Sequence, residues 1–526
     1  MVTMKQDTNC DVYVAGAGIA GLMAAISAAE CHKKVMLSSS SQIFSGSSFY
    51  PGTWGLGVVS PENEADEEDM VQTILRVGCG MAQERMVRTF VEHMRPTIAW
   101  LKEQGLNLTE AEQKDQKEFI PCFDHKHRQW NGILAKEARA AFGRMLEQNH
   151  VIQCPEQELV ELVQQDERIC GVIVKDKAGT LKYIACGAVV LATGGYSGLY
   201  ARRLTTSDIL GTGQSLALEH GAKLVNMEFL QMMPGYIEPC TNTVFNEKTF
   251  RYVDLSGLCE QDLLEQRSGY GPFTSRLASR EVDFLMENAG KFGLAVQYGK
   301  ELKEQMPEFV KTYFDWLEQE KGITPEQTTH IGMFAHAANG GIQIDEYGKT
   351  GVDGLFACGE ATGGMHGADR IGGLSTVNGF VFGRRCGQAA VQYLEQKKVQ
   401  PCSEAQIQLW DIPQKGHLDA RIQEIMSRCG FLIRQGEELE QGIQELQEMQ
   451  HLLCHEETAN VEDAVQARAL EGRLSLAIGI LRAQLLRKES RGSHYRRDYP
   501  QENPACAMQI LIQKEEQDIT AVWKAR

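Results

Sequence analysis

Two short stretches hold residue types that could do chemistry. At residues 365–373 the chain reads MHGADRIGG, which sets Arg370 among glycines. A guanidinium keeps its charge when buried and meets a carboxylate through two parallel hydrogen bonds. Taken alone, the stretch reads equally as a surface loop with a solvated charge. Near the other end, GAGIAG places Gly16, Gly18 and Gly21 at G-x-G-x-x-G spacing, with Ala17 between the first two. The first glycine permits a tight turn, the second admits a pyrophosphate to the backbone, and the third lets a helix pack closely on a strand.

Those glycines work only between a strand and a helix, and the flanking sequence supplies both. Val12–Val14 make a short apolar strand, Ile19–Glu30 an alanine-rich helix, and Val35–Leu37 a second strand. The helix N-terminus offers unpaired N–H groups and partial positive charge to phosphates, so a dinucleotide site is expected here. An acid usually ends the second strand and binds the ribose. Here the run is LSSSS, and Ser39 stands in that place with a hydroxyl, a weaker partner than a carboxylate. The fingerprint occurs once, so no second, nicotinamide-binding unit is expected. Two later stretches are strands that end in small-residue turns. They are AVVLATGG (188–195), with Thr193 and Gly194, and GVDGLFACGEATGG (351–364), which ends near Glu360. Together with the fingerprint they resemble the FAD enzymes of the glutathione-reductase type.

The totals set bounds. A chain of 526 residues holds about two to four domains. Hydrophobic content of 43% and charged content of 23% are those of a globular protein. A net charge of −17 repels nucleic acid and anionic membranes, so an anionic substrate must meet a local cluster of positive groups. No apolar run approaches the roughly 20 residues that span a bilayer. The N-terminus has no signal-peptide pattern, and a cytoplasmic protein is expected. The 15 cysteines are scattered with no C-x-x-C, which argues against zinc or an iron–sulfur cluster on this chain; no metal site is expected.

Further motifs narrow the reading. They are GSSFYPGTWG (46–55), GAKLVNMEFLQMMP (221–234), LASRE (277–281), HAANGGI (336–342), HGADRIGG (366–373) and ESRGSHYRRDYP (489–500). In this order they resemble the flavoprotein subunits of succinate dehydrogenase and fumarate reductase, and L-aspartate oxidase, over nearly the whole chain. The resemblance implies an α/β protein in which a Rossmann-like FAD-binding domain (about 1–230 and 345–398) carries an inserted α+β capping domain (231–344). A C-terminal helical domain (403–526) follows. Its two amphipathic stretches, EELEQGIQELQEMQHLLC and VQARALEGRLSLAIGILRAQLLRKES, have helical period. The segment SRGSHYRRDYP reads as a structural bridge between domains.

The same resemblance assigns roles. Arg370 binds a substrate carboxylate, and its neighbour Asp369 replaces the family's usual asparagine. His336 matches the substrate-binding histidine. Arg280 matches the arginine that donates or accepts the proton, with Glu247 as a partner in its relay. Ser375, just past the glycine pair, joins the cofactor-binding residues. Two departures stand out. The family's QFHPT or QYHPT is here QMMPG, so Met233 and Gly235 replace a histidine and a threonine, and a second substrate carboxylate loses its donors. Ser47 occupies the place where relatives often link FAD through histidine, so FAD is expected to be non-covalent. The activity implied is hydride transfer between flavin and the C=C or C–C bond of a carboxylic acid, possibly fumarate, with a separate iron–sulfur or ferredoxin-type electron partner. The alternatives are an L-aspartate oxidase-like amino-acid oxidase and a flavin-containing electron-transfer subunit without a substrate of its own.

Overall fold

The computed structural model describes residues 2–109, 122–255, 257–299, 302, 306–397, 402–516 and 518–524; the boundaries expected at 1, 398 and 526 lie outside them. An eight-stranded sheet forms the centre. Val2–Ala15 lies in its middle, parallel to Val35–Ser38 on one side and to Leu181–Leu191 on the other. Val12, Val14, Leu37, Val189 and Leu191 are fully buried, as in a sheet covered on both faces. The first strand runs further than Val12–Val14 because Val2–Lys5 pair antiparallel with Glu404–Ile407 from the tail. The helix Ile19–Glu30 packs against a second helix, Leu374–Gln396, at backbone contact. A Cβ on Gly383 or Gly387 would stand 2.5 or 2.3 Å from the carbonyl oxygens of Ala20 and Ala24.

A second, antiparallel sheet has the spatial order Thr243–Val244, Leu230–Glu238, Thr329–Ala338, Leu294–Val296. Tyr236, Phe245, Tyr298, Tyr313 and Phe314 fill its core with edge and stacked ring contacts, and Tyr313 donates to the Val244 carbonyl at 3.0 Å. His336 is the extra residue of a bulge. Gln231 pairs with Ala337 and Met232 with Ala335, which leaves His336 unopposed and re-aims it.

The tail contains the helices Lys415–Cys429, Gly436–His451 and Val461–Leu486. It is not purely helical as expected. Ile510–Glu515 and Asp518–Trp523 form a hairpin that completes a five-stranded sheet with Leu224–Val225, Gly341–Gln343 and Thr362–Gly363. The stretch ILIQKEEQDITAV has two apolar runs around a charged turn, a hairpin signal.

Between the last helix and this hairpin the chain threads through the interior. Arg487, fully buried, donates from Nε to Glu228 at 2.9 Å and from Nη1 to Glu489 at 2.7 Å, and its remaining protons reach the Cys506 and Met508 carbonyls. Arg491 takes the other side of Glu489 and donates to the Cys79 carbonyl. The next turn clasps the arginine-bearing glycine loop: Ser493 donates to the Ala368 carbonyl at 2.9 Å, and the Gly492 carbonyl accepts from Ser275 N–H at 2.7 Å.

Asp369 sits at the same seam. It is 1% exposed, its Oδ2 accepts from Thr274 at 2.9 Å, and Arg276 stands 3.9 Å away. Its Oδ1 is buried with no partner. Burial pushes this carboxyl from the ordinary 3.8 up to about 7, and Glu502 adds to the rise against Thr274 and Arg276. A raised acid stabilises the fold fully below its unfolded value and loses that contribution as pH rises through its folded value. Asp369→Asn removes the titration. Its melting temperature, compared with that of the unaltered protein, should gain steadily between pH 3.8 and about 7 and stay level above. A difference that does not change with pH would show that Asp369 does not titrate in this range.

Candidate active site

The glycine loop shapes one end of the site. Gly16 has φ +107°, and a Cβ there would lie 2.2 Å from the Ala192 carbonyl oxygen. At Gly21 a Cβ would meet the Gly16 oxygen at 1.8 Å, so the helix sits as close to the strand as a glycine allows. Beside them opens a cleft. Gly16, Ala17, Gly18, Ser39, Ser47, Thr193, Gly194 and Glu360 line it, whereas Gly21 lies behind the wall and Ser375 lies elsewhere. The hydroxyls of Ser47 and Thr193 are buried without a partner, as groups waiting for a ligand would be. Ser39 Oγ is 3.0 Å from Ser45 Oγ. The cleft also holds Asp208, which no sequence motif singled out. These donors, the phosphate loop and the fit of the glycines match a bound dinucleotide.

The Glu360 carboxyl accepts from Ala338 N–H at 2.9 Å. Burial pushes it up, while that hydrogen bond and the Arg370 charge pull it down. Arg370 follows at the turn before Leu374–Gln396 and is buried. Its Nε donates to Gln231 Oε1 at 2.9 Å and its Nη1 to Ser375 Oγ at 3.0 Å. Ser375, expected to touch the cofactor, thus holds the arginine in place. Gln231 returns a 3.3 Å bond to the Arg370 carbonyl. Among the described residues Arg370 forms no salt bridge. Burial lowers its pKa, against the pull of Glu360.

His336 shares this environment. Burial, and then the Arg370 charge, bring its imidazole down to about 3, so the ring is neutral. Its Nδ1 is buried with no partner. Arg280 opens the helix Arg280–Asn288; its Nη1 donates to the Ser275 carbonyl at 2.6 Å and its guanidinium lies over the Tyr495 ring at 5.5 Å. Its Nε is buried without a hydrogen bond. Glu247 is buried, but among the described residues it makes no contact with Arg280. Its Oε1 accepts instead from Cys122 Sγ at 3.5 Å. Cys122 Sγ accepts from Gly271 N–H at 2.9 Å, and burial raises the thiol to about 12, with Glu247 adding to the rise. The structure therefore gathers Arg370, His336 and Glu360, and sets Glu247 beside Cys122. Sequence reasoning missed Gln231, Cys122 and Tyr495. Gln231 was within reach, since it stands inside a motif quoted for its missing histidine.

Comparison with known proteins fits this geometry. A family model described as an FAD binding domain matches residues 11–251 and 275–376, and one described as fumarate reductase flavoprotein C-term matches 419–523. L-aspartate oxidase 1 of Ralstonia nicotianae is 27% identical, over 96% of this chain and 98% of its own. The fumarate reductase flavoprotein subunit of Proteus vulgaris is 25% identical, over 94% of this chain and 90% of its own. Among solved structures, the apo Sdh1 complex of Mycobacterium smegmatis superposes with a TM-score of 0.80 at 23% identity, covering 98% of this chain and 94% of that one. A quinol–fumarate reductase with menaquinol superposes at 0.78 and 20%, covering 98% of each. Among the described residues no helix is long and apolar enough to cross a membrane. With two family models laid end to end over a cofactor cleft and a buried arginine turn, this chain belongs to the FAD-binding family of the succinate dehydrogenase and fumarate reductase flavoproteins and L-aspartate oxidase, and is an FAD-dependent oxidoreductase.

Proposed function

We propose that the protein reduces the carbon–carbon double bond of an unsaturated carboxylic acid, an enoate. The observation that carries this reading is the Arg370 guanidinium, buried and without a salt bridge among the described residues. A buried cation without a direct ion pair is costly, and a substrate carboxylate supplies one. Gln231 and Ser375 fix two of its nitrogens and leave Nη2 for that carboxylate.

Bound FAD in its reduced form supplies a hydride to the β-carbon. Negative charge then builds on the α-carbon and the carboxylate, and a fixed Arg370 stabilises it without reorganising. The α-carbon needs a proton. Arg280 is the donor in this reading, held by the Ser275 carbonyl and the Tyr495 ring. Arginine is a weak acid, so it must be re-protonated through neighbours. The neutral His336 ring orients the substrate through its unpartnered Nδ1.

That same nitrogen favours a second reading. A neutral imidazole can accept a hydrogen bond from an amino group, as in oxidation of an amino acid of the L-aspartate type. Mixing air-free reduced protein with enoates, and oxidised protein with amino acids, separates the two. Reoxidation by an enoate supports the first reading, and bleaching by an amino acid the second.

Arg280→Ala should keep the flavin spectrum and lower the rate of flavin reoxidation by the best enoate by about 10²- to 10⁴-fold. Arg370→Ala should abolish it on every acid tested. Near-normal rates in Arg280→Ala would remove that residue from the proton step. FAD is held non-covalently in this reading, and electrons arrive from a separate iron–sulfur or ferredoxin-type protein. Acid precipitation should therefore leave a colourless pellet and a yellow supernatant, and NADH alone should not bleach the oxidised protein. A yellow pellet would mean a covalent link, and bleaching by NADH would mean a donor site on this chain.

A further inference from the structure

We infer that the acid this site reduces carries a single carboxylate and, on its β-carbon, an apolar group of aryl or branched-alkyl kind. The inference rests on the reading of Arg370 as the carboxylate clamp. Gln231, Met233 and Gly235 alternate onto one face of the strand Leu230–Glu238. Gln231 marks the carboxylate end through its bonds to Arg370. At about 3.4 Å per residue, Met233 lies some 7 Å along and Gly235 some 13 Å along. Phe334 stands opposite Met233 in the neighbouring strand, two residues before His336.

The far end is not an emptied polar pocket. It has been refilled with carbon. Leu204, Val244 and Phe334 form a buried cluster, and Tyr50, Trp54, Met233 and Ile237 pack on it while staying partly exposed. A Cβ at Gly235 would stand 2.9 Å from Phe334 Cδ2 and 3.1 Å from Leu204 Cδ2, so a threonine fits there only if those side chains shift. The Tyr50 hydroxyl is already spent on the Asn242 carbonyl. A second carboxylate would meet methionine and aromatic surface and would forfeit its hydration without replacement donors. A phenyl or branched alkyl group would gain from the same burial. Arg203, whose charge opposes the rise that burial gives the Tyr50 phenol, sets the strongest rival: a longer diacid that reaches past the cluster.

In the reaction one C=C π bond gives way to two C–H bonds. A hydride goes from the reduced cofactor to the β-carbon and a proton to the α-carbon, and the cofactor leaves oxidised. The test uses FAD-loaded protein, photoreduced without air and mixed with limiting 3-phenylpropenoate, 3-methylbut-2-enoate, fumarate or hept-2-enedioate. We expect 3-phenylpropenoate to reoxidise the flavin roughly 10²-fold faster than fumarate at equal concentration. Met233→Gln should shrink that ratio about tenfold with the flavin spectrum retained. Fumarate or the seven-carbon diacid outrunning the aryl acid would overturn the inference and leave enoate reduction standing, as would a ratio that Met233→Gln does not move. Failure of every enoate, with bleaching of oxidised protein by amino acids, would instead overturn the enoate reading together with this one.

A separate observation assigns a cofactor contact. Asp208 lines the dinucleotide cleft beside Ser40 and Ser41, just past the position where Ser39 replaces the ribose-binding acid. Its Oδ2 accepts from Ser41 at 3.1 Å, and its Oδ1 is buried with no partner. Among the described residues no cation pairs with it. We propose that Asp208 supplies from a distant loop the carboxylate that the second strand lacks, and binds the adenosine ribose of FAD. Protein stripped of flavin, and its Asp208→Asn variant, would be titrated with FAD and with FMN by fluorescence quenching. The variant should bind FAD about tenfold more weakly and FMN equally well. Equal loss for both flavins, or no loss for FAD, would overturn the assignment.

Discussion

The Arg487 guanidinium, fully buried between Glu228 and Glu489, holds the rest of the structure in register. Glu228 belongs to the segment that leads into the strand Leu230–Glu238, Glu489 to the tail, and Arg491 carries the link on to the Cys79 carbonyl. Such a network is weak evidence for net stability, because desolvating each ion costs several kcal/mol. Its value is geometric. Removing one partner leaves an uncompensated buried charge at about 3–5 kcal/mol, so the segments can meet in one arrangement only. That arrangement presses Ser493 onto the Ala368 carbonyl, directly before Asp369 and Arg370.

The proposed site therefore draws on pieces far apart in sequence. Arg370 comes from a turn at the head of a helix of the central domain, and Gln231 and His336 come from two strands of the second sheet. Arg280 comes from a helix packed on that sheet, with its ring support, Tyr495, from the tail. Each piece is rigid for a different reason. The turn is clasped by Ser493, the strand residue is locked by a reciprocal amide–arginine pair, and the histidine is displaced by a bulge. A shift of the tail would reach Arg280 through Tyr495.

Local rules made much of the fold legible. The glycine spacing, the strand on one side and the alanine-rich helix on the other each report a single short-range requirement, and Ile19–Glu30 forms as read. The length of the first strand was not legible, because its outer half is paired by Glu404–Ile407, some 400 positions later. The tail hairpin was signalled by two apolar runs around a charged turn, which the reading of the tail as helical passed over. At the site, Arg370 was picked out by the resemblance, since its glycine-rich stretch alone reads as well as a solvated surface loop. Cys122 was not, since a lone cysteine has no local signature and acquires meaning only from Glu247 and Gly271 around it. That the Ser375 hydroxyl is bonded to the arginine is likewise shown only by geometry.

The crowding at Gly235 has a consequence for substitution. A side chain at 235 would meet Phe334 and Leu204, so it demands that they shift first. Making room by trimming a buried phenylalanine to alanine costs about 3–5 kcal/mol. Small apolar substitutions around the cluster cost little, so its carbon-lined shape is more readily varied than made polar.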